Sequence, residues 1–274
     1  MDARCQGKAA QRPAPIGALQ NHWPEYLMEA WGLGTFMVSA CLVTALLEHP
    51  ASPIHRALPD ATLRRVLVGI AMGATAIAIV HSPWGRRSGA HINPSLTLAF
   101  LRLGKVAPWD AAFYVVAQVA GGAGGVALAA LLLGPRIADP AVSYAVTVPG
   151  PAGVPAAFAA ELAISFGLML LVLVTSNDRH LARFTGIFCG LAVATYIAVE
   201  APLSGMSMNP ARTFGSAVVA DTWTAFWLYL VAPPLGMLLA AELYRRRAGM
   251  ARILCAKLNH RGHERCIFRC KWPA

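Results

Sequence analysis

The sequence predicts an all-α membrane protein with six transmembrane helices plus two re-entrant half-helices, arranged as an inverted 3+3 repeat. Three observations lead there. The 274 residues are 57% hydrophobic and only 13% charged, far from the balance of an ordinary soluble domain. Six near-uncharged stretches recur along the chain. The motif Ser-Gly-x-x-x-Asn-Pro occurs twice, at Ser88–Pro94 and Ser204–Pro210, once in each half.

The near-uncharged stretches run over Leu27–Leu47, Val66–Val80, Ala111–Leu133, Ala156–Thr175, Phe184–Val199 and Thr222–Tyr244. Four of them reach or approach the roughly 20 residues that cross a hydrocarbon core, while the second and fifth are shorter and rich in Gly or Ala. Residues 1–22 carry Arg4, Lys8 and Arg12 without an apolar core ahead of a small-residue cleavage site, so the first span is expected to be retained. An even number of spans puts both tails on one side. Eighteen of the 23 Lys and Arg fall in the tails and in the second and fourth connections, which places both termini in the cytoplasm. The net charge of +10 then reflects orientation and apposition to anionic membrane lipid, and no nucleic-acid partner is expected. The implied division is a cytoplasmic tail over 1–22, a membrane domain over 23–245 with repeats at about 23–134 and 155–245, and a basic Cys/His-containing cytoplasmic tail over 246–274. The Pro/Gly-rich stretch "GPRIADPAVSYAVTVPGPAGVP" links the halves on the outside.

Each copy of the motif has the same surroundings. Upstream lies a span opening on an acid, Glu29 in "EAWGLGTF" and Glu161 in "ELAISFGL", followed by a second span. Downstream lies an Ala-Phe-aromatic start, at Ala112 and Ala225. Three spans per half is odd, so the second half enters the membrane from the opposite side. Asn followed by Pro reads as an N-cap and first helical residue, so helices should start at Asn93 and Asn209. The apolar runs that follow hold only eight to ten residues, about 12–15 Å of helix, too short to span alone. Two such half-helices meeting end to end would cross together and aim two positive dipole ends and two side-chain amides at one spot. Glycines at helix-contact spacing in the third span, Gly121, Gly122, Gly124 and Gly125, would let backbones approach closely.

Over residues 25 to 245 the sequence resembles the aquaporin and glycerol-facilitator family, the major intrinsic proteins, in a bacterial-type form. "SGAHINPSLTLAF" and "SGMSMNPARTFGSA" are similar to that family's two Asn-Pro-Ala boxes, Glu29 and Glu161 to its paired carboxylates, and Gln118 to its third-span glutamine. The resemblance implies a right-handed bundle, a homotetramer with one pore per subunit, and passive flow of water or small neutral solutes such as glycerol, excluding protons and ions. It implies a bacterial inner membrane as the location, and no enzymatic activity. Carried over by position, Asn93 and Asn209 become midpore donors, and Arg212, Met206 and Ile197 line the selectivity filter together with Val68, for which Gly69 and Met72 are alternatives. Glu29, Glu161 and Gln118 become supports of the re-entrant loops. The first box reads Asn93-Pro94-Ser95, and the connection before Asn93 is longer than is usual in the family. Met206 and Ile197 match neither the water-selective nor the glycerol-selective pattern.

Arg212 stands three residues after Asn209, on the same face one turn along, so both side chains can face one pore. An arginine facing lipid there would cost at least a few kcal/mol. Glu29 and Glu161 read first as acceptors for the irregular backbone of the two loops, whose symmetry they mirror; the alternative is a pair of proton-relay groups of an ion-coupled secondary transporter, the competing functional class. His91 and His81 fall near the cytoplasmic mouth. No cofactor is expected, with one candidate exception. Cys255, His260, His263, Cys266 and Cys270 lie within 16 residues of the tail and offer donors suited to zinc, although their spacing is not a familiar zinc pattern.

Overall fold

A computed structural model of the chain describes residues 15 to 260 and 265 to 272. The helices in chain order are α1 (Pro15–Glu48), α2 (Pro53–Ala57), α3 (Ala61–His81), α4 (Pro83–Ser88), α5 (Pro94–Arg102), α6 (Pro108–Leu133), α7 (Gly153–Ser176), α8 (Thr185–Ser204), α9 (Pro210–Ala220) and α10 (Phe226–Ala248). Six of them, α1, α3, α6, α7, α8 and α10, are long and apolar enough to cross a membrane. Each overlaps one of the six predicted spans. The short helices α5 and α9 follow the two Asn-Pro pairs, and large apolar side chains such as Ile70, Val116, Leu131 and Val199 coat the outside, where lipid solvates them. The protein is an integral membrane protein.

The packing has the pairing of an inverted repeat. Helix α1 lies on α6 and α7 lies on α10, while α3 meets α8 at the centre. Each half-helix packs on the third span of the other half, α5 on α10 and α9 on α6. The halves therefore interlock instead of lying side by side.

Close approach at the α3–α8 crossing depends on missing side chains. A Cβ on Gly69 would lie 2.6 Å from the Ala194 carbonyl oxygen, which cannot move without breaking α8. We expect Gly69→Leu to lower the melting temperature in detergent by about 10 °C or to prevent folding, the cost of forcing atoms into a packed interface. At Gly124 nothing lies within 4 Å of the place a Cβ would take, so Gly124→Leu should melt like the unaltered protein. Equal melting of the two variants by circular dichroism would contradict this packing.

Two features depart from the sequence expectation. Helix α1 begins at Pro15, inside the stretch read as a tail, and its 34 residues are about 51 Å long. Hydropathy falls where its polar residues begin, but the helix continues because they have partners. His22 Nδ1 lies 2.7 Å from Asp110 Oδ1, the Tyr26 hydroxyl donates to the same oxygen at 2.7 Å, and Arg87 Nε donates to Glu25 Oε1 at 2.9 Å. The extra residues ahead of Asn93 fold as α4, started by Pro83 and capped by Ser82, whose hydroxyl accepts from the Gly85 N–H at 2.9 Å.

Candidate functional site

Both Asn-Pro helices start as the chemistry of the pair requires. Asn93 Oδ1 accepts from the Ser95 N–H at 2.8 Å, and Asn209 Oδ1 accepts from the N–H groups of Ala211 and Arg212 at 3.1 and 3.2 Å. The amide nitrogens reach across to the other half. Asn93 Nδ2 donates to the Met208 carbonyl at 2.8 Å, and Asn209 Nδ2 donates to the Ile92 carbonyl at 2.7 Å. Each NH2 group keeps a second hydrogen, and both residues line one cavity, so two N–H donors are left for a molecule within it.

The loops that deliver these asparagines are strained, and the two acids hold them. Ala90, Ile92, Met206 and Met208 sit at φ of 53°, 42°, 53° and 54°, a region that side chains with a Cβ rarely adopt. Glu29 accepts from the Ser88 hydroxyl at 2.7 Å, the N–H groups of His91 and Ile92 at 3.0 and 2.6 Å, and Gln118 Nε2 at 2.8 Å. Glu161 accepts from the Ser204 hydroxyl at 2.7 Å and the N–H groups of Ser207 and Met208 at 2.6 and 2.7 Å. Both carboxylates are fully buried, and their oxygens are committed to fixed donors. Turning those N–H groups toward the acids leaves the Ile92 and Met208 carbonyls facing the asparagines.

The cavity between the half-helices holds about 740 Å³. Val68, Ile197, Met206 and Arg212 line it toward the face away from the chain ends, together with Val142 and Val146 of the inter-repeat connection. Met72 also lines it, whereas Gly69 is taken up by the contact with Ala194. Arg212 Nη1 is buried without a hydrogen-bond partner among the described residues, so a polar molecule in the cavity is its available partner. At the other end the lining is Val80, Ala90, His91, Val172, Cys189 and, from the C-terminal tail, Leu258. Another buried carboxylate, Glu200 of α8, lies off this lining.

Several supporting residues escaped the sequence reading although the repeat contains their signal. Thr97 and Thr213 follow the two asparagines at the same distance. Thr97 Oγ1 lies 3.1 Å from His91 Nδ1, and Thr213 Oγ1 is hydrogen-bonded to Ser207 Oγ. Tyr114 and Tyr229 donate to the carbonyls of Ser88 and Ser204 at 2.7 and 2.6 Å. Matching "AFY" with "AFW" hides this second pair, because Trp227 is exposed on the outside and Tyr229 makes the buried bond. His91 is buried with both ring nitrogens engaged, its Nε2 donating to the Ala256 carbonyl at 2.8 Å.

In the tail, the donor atoms of Cys255, His260, Cys266 and Cys270 all lie within 4.8 Å of one another. His263 lies outside the described residues.

A family profile described as "Major intrinsic protein" matches residues 19–244. The chain is 41% identical over 181 residues to Aquaporin NIP6-1 of Arabidopsis thaliana and 41% identical over 178 residues to Aquaporin NIP3-1 of Zea mays. Those matches cover 65% and 64% of this chain and 57% of each relative, so the chain spans under three-fifths of the length of these plant proteins. In fold it is similar to the X-ray structure of the aquaglyceroporin from Plasmodium falciparum, with a TM-score of 0.69 at 21% identity, over 84% of this chain and 98% of that one.

Proposed function

Since the chain belongs to the major intrinsic protein family, we propose that it is a passive channel for water and small uncharged solutes, and not an enzyme. The observation that carries the reading is the pair of cross-braced asparagines. Each leaves one N–H in a cavity whose walls are largely apolar, so a permeating oxygen finds a pair of donors where the half-helices meet and a further one at Arg212. The committed oxygens of Glu29 and Glu161 support uncoupled flow, because a proton arriving at either acid would displace a loop-holding bond. The names of the plant relatives point the same way.

In this reading Asn93 and Asn209 orient the solute, and Arg212, Ile197, Met206 and Val68 form the filter. Three apolar walls facing one guanidinium suit a small neutral molecule with a polar side and a hydrocarbon side. The charge distribution supports an orientation with both termini in the cytoplasm, and the setting we propose is a bacterial inner membrane, with the protein surrounded by lipid as a homotetramer.

Stopped-flow light scattering on proteoliposomes, kept in chelator and reductant, tests the proposal. Water and glycerol permeability above that of empty vesicles is expected. Permeability equal to empty vesicles for water, glycerol, urea and ammonia alike would exclude it.

A further inference from the structure

Beyond Gly249 the chain does not trail away from the bundle. It folds back beneath it, and the segment from Ile253 to Asn259, although it carries Lys257 and Asn259, is almost completely buried. Bonds to four residues in three parts of the membrane domain fix it there. Leu254 N–H donates to Asn177 Oδ1 at 2.6 Å, Leu258 N–H donates to the Gly89 carbonyl at 3.2 Å, and His91 donates to Ala256. Lys105 Nζ donates to the carbonyls of Leu254 and Arg269 at 3.2 and 3.3 Å, tying two passes of the tail together. Phe268 stacks on the His91 ring with centroids 5.3 Å apart. Leu258 is thereby pressed into the end of the cavity.

A segment this short, polar and irregular cannot hold such a shape by apolar burial alone. What lies at its centre is a ring of ligand atoms. Cys255 Sγ and Cys266 Sγ are 3.5 Å apart, and Cys270 Sγ is 3.2 Å from His260 Nε2. A tetrahedral zinc ion with bonds of about 2.0–2.3 Å sets its ligands roughly 3.3–3.8 Å apart, which these separations approach. Three thiols also leave one over after any disulfide pairing, and the cysteines in question are free. The Trp272 N–H approaches Cys270 Sγ at 3.4 Å, the kind of outer donor that steadies a metal-bound thiolate. Three sulfurs and an imidazole favour zinc over magnesium, calcium or manganese.

We propose that Cys255, His260, Cys266 and Cys270 bind one zinc(II) ion, and that the metal locks the tail in place so that Leu258 closes this end of the cavity. The closing role rests on the channel reading above; the metal site does not. Loss of zinc frees the tail and opens the path.

Two measurements on the full-length reduced protein test this. Titration with cobalt(II) should give the visible bands of a tetrahedral site and a thiolate-to-cobalt band at about one equivalent, both abolished by zinc. In proteoliposomes, water permeability should rise about tenfold when zinc is removed by a chelator and fall again when zinc is restored. The double variant Cys255→Ser, Cys266→Ser should lack the cobalt spectrum and stay open in zinc. Absence of the spectrum in the unaltered protein, its survival in the double variant, or equal permeability with and without zinc overturns the proposal. Because the chelator experiment uses the unaltered chain, the test stands even where the variant fails to fold. A protein that shows the spectrum yet conducts in neither state overturns the channel reading, and with it the closing role of the tail.

Discussion

Glu161→Ala is expected to abolish both the folded state and permeation. The variant leaves the Ser204 hydroxyl and the N–H groups of Ser207 and Met208 without an acceptor in a fully buried place. Hydrogen bonds to a charged group contribute about 1.5–3 kcal/mol each, so three come to roughly 5–9 kcal/mol, comparable with the whole stability of a typical domain. The loop has no alternative shape to relax into, since Met206 and Met208 are held at positive φ by these same bonds. Glutamine substitutions give a finer test. In Glu161→Gln the new NH2 group can be set against Met208 N–H alone, sacrificing one bond, but Glu29 receives two donors on each oxygen. Glu29→Gln should therefore lower the melting temperature in detergent more than Glu161→Gln. The reverse order, or alanine variants that melt normally and conduct, would refute the loop-holding role.

Arg212→Ala should keep the fold and lose discrimination against cations. The Arg212 backbone still caps on Asn209, and its guanidinium contributes an unpartnered buried Nη1 to the filter, so removing the side chain breaks no buried pair at that atom. A cation about 5 Å from the guanidinium is repelled by about 3 kcal/mol at an effective dielectric constant of about 20, roughly a hundredfold in passage rate. Proton leak into proteoliposomes kept in chelator and reductant, followed with a pH-sensitive dye under an imposed potential, should rise by about that factor while water flux persists. A leak no greater than that of the unaltered protein would remove Arg212 from the role of charge barrier.

The membrane architecture was legible because its determinants are local. Spans announce themselves by length and lack of charge, and Asn-Pro is a helix start wherever it occurs. The repeated motif also located the two acids, since each lies in the same place in its own half. What stayed hidden depends on contacts between distant segments. The beginning of α1 was obscured because hydropathy cannot see that Asp110 and Arg87 satisfy its polar residues. The threonine pair was present in the repeat and passed over, while the tyrosine pair was masked by an aromatic motif in a different register. The candidate position for the second-span filter residue depended on the length of the connection before Asn93, which the formation of α4 absorbs. In the tail, spacing alone argued against a familiar metal pattern, because the donors are brought together by a described stretch, 256 to 259, that is buried against the bundle, and by Phe268, which stacks on His91.

The cross-bracing of the asparagines also sets an order of events during synthesis. Asn93 finds its acceptor on Met208, 115 residues later in the chain, and Asn209 finds its own back on Ile92. At about 5–20 residues per second the ribosome needs roughly 6–23 s to supply that partner. Through that interval the first re-entrant loop has its acid but not its opposite number. The first half must wait in the bilayer unfinished, and the path is completed in a single late step for both halves.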